Sequence, residues 1–305
     1  MPTEPTIMKL LVASVRNKIR TWRDNGSNAN HWEPVCSESS GHRIFAPSPQ
    51  LCAVTDIGQR RIKNEDEYFL SMDGKLWILA DGMGGHAAGE LASRLTIQAI
   101  VASMEWAGLD IGAGPEASFR DRLMTAFAIA QDWVTSRSRM DDECQGMGST
   151  AIAGVVDGDT LHLCHVGDVR GYQLSGGHFR RITSDHSWVW ESLVKPGMLT
   201  PDQARFHPQR GKVTQAIGSL KGIKPELNSI PLKTGDRVLL CSDGLWEALA
   251  DENIAAIIGS YGSIQHLASA LVDRANTASG EDNITAILYE HKRRLAASGR
   301  PSQRD

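Results

Sequence analysis

Lys75-Leu-Trp-Ile-Leu-Ala-Asp81-Gly82-Met83-Gly-Gly-His86 runs from an apolar strand straight into an aspartate and a glycine-rich turn. Three distant stretches share the design: His165-Val-Gly-Asp168, Val238-Leu-Leu-Cys-Ser-Asp243-Gly244 and Glu281-Asp282-Asn283. In each, the adjoining apolar run would deliver a carboxylate to the same edge of a sheet. Carboxylates gathered this way share a pocket only if cations offset their repulsion, because like charges at close range otherwise drive one pKa upward. Ligands that are all oxygen select Mg²⁺, Mn²⁺ or Ca²⁺ over Zn²⁺. Asp-Gly pairs also make turns, and Asp73-Gly74 and Asp157-Gly158, each between two strand-like runs, read as hairpins.

Outward from this strand, short strand patterns cover 51–56, 67–71 and 75–80, and helical periodicity covers 86–106 and 115–138. Strands return at 150–156, 160–167, 170–174 and 178–183. A polar, irregular stretch follows over 184–216, then strands at 226–231 and 236–242, helices at 251–258 and 262–276, and a last strand at 283–290. This order is not the regular alternation of a parallel sheet. It predicts an α+β fold, an antiparallel β-sandwich flanked by helix pairs in an α-β-β-α arrangement.

Residues 1–50 read as an appendage, 51–290 as the compact domain and 291–305 as a basic tail. Ile7, Leu10, Leu11, Val15, Ile19 and Trp22 form a helical stripe with a basic opposite face, which suits a docking or membrane-surface element or a helix packed on the body. Residues 24–50 have the composition of a linker. The first 24 residues carry +3 and the last 15 carry +4, so the whole-chain charge of −4 hides a body of −11. Such a body excludes nucleic acid as a partner and favours bound divalent cations. No apolar run approaches the roughly 20 residues of a membrane span. The five cysteines show no Cys-x-x-Cys spacing, and a reducing cytoplasm is the expected home.

Ahead of Asp81 lies Thr55-Asp-Ile-Gly-Gln-Arg-Arg61-Ile-Lys-Asn64-Glu65-Asp66, a guanidinium four residues before paired carboxylates. Followed by Asp81-Gly-Met-Gly-Gly-His86, Gly146-Met-Gly-Ser-Thr150, Gly167-Asp168-Val-Arg170, Ser242-Asp243-Gly244 and Glu281-Asp282-Asn283-Ile-Thr285, the order resembles the type-2C metal-dependent Ser/Thr protein phosphatases, the compact bacterial branch most of all.

The resemblance implies a protein serine/threonine phosphatase with a dinuclear Mn²⁺ or Mg²⁺ centre and a weaker third ion. Phosphoserine or phosphothreonine would be hydrolysed by a metal-bridged water. Asp81 would bridge both metals, with the Gly82 carbonyl and Glu65 on the second and Asp66 beside Glu65. Asp243 and Asp282 would hold the first metal, Asp168 the third ion, and Arg61 the phosphate. The implied partners are a phosphoprotein substrate and an opposing bacterial Ser/Thr kinase, with the chain itself a monomer.

Eukaryotic members of the family place a histidine directly after the first Asp-Gly; here that position is Met83, so the leaving-group acid is unassigned. His86 suits a helix start or packing as well as a place near the site. Ser184-Asp-His-Ser187 through Gly218 resembles the family's flap, and substrate recognition and a plain surface insertion both remain open for it, with no metal role assigned to Asp185, His186 or Ser187. A pseudophosphatase that senses or scaffolds a partner is the alternative reading, although none of Asp81, Asp243 and Asp282 is lost. A calcium-binding structural module is disfavoured because the carboxylates are spread along the chain.

Overall fold

The computed structural model describes residues 37–39, 42–84, 88–105 and 118–292. The expected basic helix, His86 and nearly all of the basic tail lie outside them. Two antiparallel sheets face each other. The first holds β1 (Ser37–Ser39), β2 (His42–Ser48), β3 (Leu51–Asp56), β8 (Arg170–Ser175), β9 (His178–Arg181), β11 (Arg237–Cys241) and β12 (Ile284–Glu290), in the order β1-β2-β3-β12-β11-β8-β9. The second, in the order β10-β7-β6-β5-β4, holds β4 (Asp66–Leu70), β5 (Leu76–Met83), β6 (Gly148–Asp157), β7 (Thr160–Val166) and β10 (Glu226–Pro231).

Strand β5 shows why the layers form. Trp77 and Leu79 enter the core between the sheets, whereas Ile78 and Ala80 face the opposite way, into a core shared with α1 (Ala88–Glu105) and α2 (Phe119–Met140). A strand apolar on both faces needs a layer on each side. The other sheet repeats the pattern: Ala53 and Leu240 pack inward, and Val54 and Leu239 meet α4 (Asp243–Trp246), α5 (Asp251–Gly259) and α6 (Ile264–Ala278), while the short α3 (Pro201–Ala204) lies between β9 and β10. The hydroxyls of Ser118 and Ser263 accept backbone N–H groups at the starts of α2 and α6, satisfying donors that helix ends leave orphaned. Gly158 takes φ 56° in the two-residue turn between Asp157 and Thr160, so that Asp-Gly pair is a hairpin, as expected.

The first sheet begins ahead of Leu51, inside the stretch expected to be linker. β2 pairs with β3, with an irregularity between Phe45 and Ser48. Ile44 packs toward the helices and Phe45 toward the sheet interior, both only partly buried, which is why the alternation is weak in a stretch rich in Ser and Pro. The short helix α4 was also unexpected: it starts at Asp243 itself, immediately after β11.

Candidate metal centre

Antiparallel pairing sets the end of one strand beside the start of the next. Asp66 opens β4 directly across from Asp81 near the end of β5, and Thr150 near the start of β6 flanks Asp81 on its other side. In the other sheet Cys241, which ends β11, lies between Arg170 at the start of β8 and Ala286 near the start of β12. The segments bearing Asp168, Asp243 and Asp282 therefore leave their strands together.

Glu65, Asp81, Asp168, Asp243 and Asp282 line one cleft of about 810 Å³, with Gly82 in its wall and Arg61 beside them. Burial, and then the charges of Asp243, Asp66 and Asp168, push Asp81 well above the usual carboxylate range. Asp243 is pushed up by burial and then by Asp168 and Asp282. Burial and then Asp185 drive Asp168 up to about 7, and its Oδ2 is buried with no hydrogen-bond partner among the described residues. Glu65 is raised by burial, against the pull of Arg61. An orphaned carboxylate oxygen among mutually repelling acids is a donor set that divalent cations fit, and oxygen ligands suit Mg²⁺ or Mn²⁺. Gly82 makes the close approach possible: a Cβ there would meet the Gly89 carbonyl oxygen at 2.2 Å and that of Glu65 at 2.7 Å.

The model of the protein phosphatase 2C family matches residues 58–288. The chain belongs to the protein phosphatase 2C family. Within the family it is 34% identical over 243 residues to the protein phosphatase PhpP of Streptococcus pneumoniae, covering 78% of this chain and 96% of that protein. It is 36% identical over 241 residues to the serine/threonine protein phosphatase PstP of Mycobacterium tuberculosis, covering 79% of this chain and 45% of that longer protein. The solved catalytic domain of PstP in complex with two manganese ions superposes with a TM-score of 0.69 at 33% identity, over 79% of this chain and 97% of that one.

One expected site residue of this phosphatase 2C chain stands apart. Asp66 does not line the cleft; its Oδ2 accepts hydrogen bonds from the hydroxyls of Ser242 at 2.7 Å and Thr285 at 2.6 Å. Burial raises it to about 7 against those two bonds. Asn64 Nδ2 donates to Thr55, whose hydroxyl is 2.7 Å from that of Thr285. Asp66 thus ties β4 to β12 and to Ser242 just after β11, whereas the resemblance had implied a place for it beside Glu65 at the metals. The residues that complete this brace stand inside the motifs quoted above, but no role was assigned to them. Asn283 is the clearest: its Oδ1 accepts the Glu65 N–H, and its Nδ2 donates to the carbonyls of Ile57 and Lys63.

The stretch 184–218 reaches the cleft of this phosphatase 2C chain through Gly211 and Val213. Its base is held by Asp185, which accepts two bonds from Arg170, at 3.0 and 2.7 Å, and contacts from Arg181 at 3.2 Å. The Arg170 guanidinium lies 3.6 Å from the Trp246 ring centre, and the indole N–H donates to the Asp168 carbonyl at 3.0 Å. His186 faces elsewhere, stacked on His165, with its Nδ1 accepting the N–H of Gly167.

Proposed function

We propose that the chain is a metal-dependent protein serine/threonine phosphatase that hydrolyses phosphoserine and phosphothreonine with water. The observation that carries this reading is the single cleft shared by five carboxylates and Arg61, drawn from five segments of the chain. The relatives' names support the same activity, and the two manganese ions of the PstP domain support two ions here.

Asp81, Glu65 and the carbonyl of Gly82 would hold one ion, Asp81 with Asp243 and Asp282 the other, and Asp168 a weaker third. Bound Mn²⁺ or Mg²⁺ supplies the charge that offsets the phosphoryl dianion and acidifies water. Arg61, half exposed, turns its planar fork from Asp282 to two phosphoryl oxygens, a task a lysine performs less well. Met83 has no proton to give, and no histidine is among the described residues lining the cleft. Solvent in the open cleft is left to protonate the leaving serine or threonine oxygen.

The substrates are phosphoproteins, and a serine/threonine kinase of the same cell is the enzyme's counterpart. No described helix is long and apolar enough to cross a membrane. We place the catalytic unit in the cytoplasm as a monomer, with docking on a partner or a membrane surface as the role of the basic N-terminal segment. With Mn²⁺, the purified chain is expected to release phosphate from a phosphothreonine peptide; turnover no higher than that of Asp81→Ala overturns the reading.

A further inference from the structure

The loop between β3 and β4 carries Arg60-Arg61-Ile62-Lys63 along one wall of the cleft, and all four residues are exposed. Arg61 is engaged with Asp282. Arg60 and Lys63 have no carboxylate within ion-pair distance among the described residues. Ile62 between them is 94% exposed and offers only apolar contact.

This wall is built rather than loose. Gly58, at φ 80°, approaches the backbone of Asp282 so closely that a Cβ there would lie 2.2 Å from its carbonyl oxygen. The Gln59 N–H donates to the Gly280 carbonyl at 2.7 Å, and Asn283 holds the carbonyls of Ile57 and Lys63 at the two ends of the turn. The side chains of Arg60 and Lys63 therefore project from a fixed backbone.

Their charge also runs against the rest of the surface. With both tails set aside, the body carries −11 and repels acidic chains at long range. Two cations with no ion-pair partner among the described residues stand at the mouth of the cleft and offset that repulsion there, next to the group that grips phosphate. An exposed cation gains little from solvent-facing acids of its own protein but adds to the docking of a complementary charge.

We propose that Arg60 and Lys63 form a second anion site, selecting substrates that carry a negative group beside the phosphorylated residue, either a carboxylate or a second phosphate. The inference rests on the phosphatase reading and names its substrate class. Because rim charges act on encounter and docking, selection falls on KM rather than kcat. It fades with salt as the screening length shrinks from about 10 Å at 0.1 M to about 3 Å at 1 M.

The test uses the full chain with Mn²⁺ and three phosphothreonine peptides that differ only at the neighbouring positions: glutamine, glutamate or a second phosphothreonine. The wild type is expected to show a KM about three- to tenfold lower for at least one anionic peptide than for the glutamine peptide. That ratio is expected to collapse in Arg60→Ala/Lys63→Ala and to invert in Arg60→Glu/Lys63→Glu. Both pairs lie on an exposed loop, and Mn²⁺ calorimetry checks that the centre is intact in each. Preference for the glutamate or for the doubly phosphorylated peptide identifies the source of the anion. Equal KM values for all three peptides, or a preference that survives in the alanine pair, overturn the inference and leave the phosphatase reading standing. Turnover of none of the peptides overturns both.

Discussion

Arg61 Nη2 donates to Oδ2 of Asp282 at 2.5 Å, so the group suited to hold phosphate grips a carboxylate suited to hold a cation. The two residues are 221 positions apart and meet only because β12 runs beside β3. A cation held by Asp282 would weaken the guanidinium's hold and free it for the phosphoryl group, which would link occupancy of the two subsites.

Arg61→Ala is expected to lower kcat/KM on a phosphothreonine peptide about 10- to 100-fold, the loss of roughly 1.5–3 kcal/mol for charged hydrogen bonds. Arg61→Lys should recover part of this, since it restores the charge without the planar fork. Steady-state kinetics with Mn²⁺ held saturating would read the difference.

Asp81→Asn should separate function from stability. Calorimetry is expected to show lost Mn²⁺ binding, whereas the metal-free variant should melt a few degrees above the metal-free wild type near pH 7. Burial and the neighbouring aspartates already penalise the Asp81 charge, and the neutral isostere removes that penalty, worth about 1–2 kcal/mol. A melting temperature below that of the wild type would contradict the electrostatic account of the cleft.

The thermal stabilisation gained from saturating Mn²⁺ is expected to grow as pH rises from about 5 to about 7. Asp168 and Asp66, raised to about 7 in the folded chain, hold protons there that the unfolded chain has already released, so the metal-free protein loses stability over this interval. Ions in the cleft compete with the protons on Asp168 and its neighbours, and that competition eases as the protons leave. His165 and His186, lowered by burial, pull the other way in both forms and cancel from the difference. Scanning calorimetry with and without Mn²⁺ across this range checks the trend.

Arg170→Met should destabilise the fold by about 3–5 kcal/mol, because it takes two bonds from the buried Asp185 carboxylate and leaves only the longer contacts from Arg181. Arg170 and Arg181 hold Asp185 below the usual carboxylate range even though burial works to raise it. Adding Asp185→Leu is expected to restore only part of the loss, because it removes the under-paired carboxylate but takes the ion-pair partner of Arg181 as well. Urea unfolding of the single and double variants would show the recovery.

The apolar run Leu76-Trp-Ile-Leu-Ala, the Asp-Gly turns and the order of strands and helices were enough to predict a four-layer α+β sandwich, because strand and helix periods are local properties of the chain. The acids Asp81, Asp168, Asp243 and Asp282 were legible for the same reason: each adjoins a strand pattern whose end points one way. Strand β2 escaped because it is only half covered, and half coverage leaves little alternation to read. Asp66 shows the limit most clearly. Its sequence position beside Glu65 says nothing about direction, and successive strand residues face opposite sides of a sheet. Only the packing of β4 against β11 and β12 turned Glu65 into the cleft and Asp66 onto Ser242 and Thr285. The sequence by itself determined the layers and the kinds of ligand at the strand ends. Which carboxylates face the cleft, that Arg61 rests on Asp282, and that Arg60 and Lys63 stand unpaired at its mouth were decided by tertiary structure, since these depend on contacts between segments more than 200 residues apart.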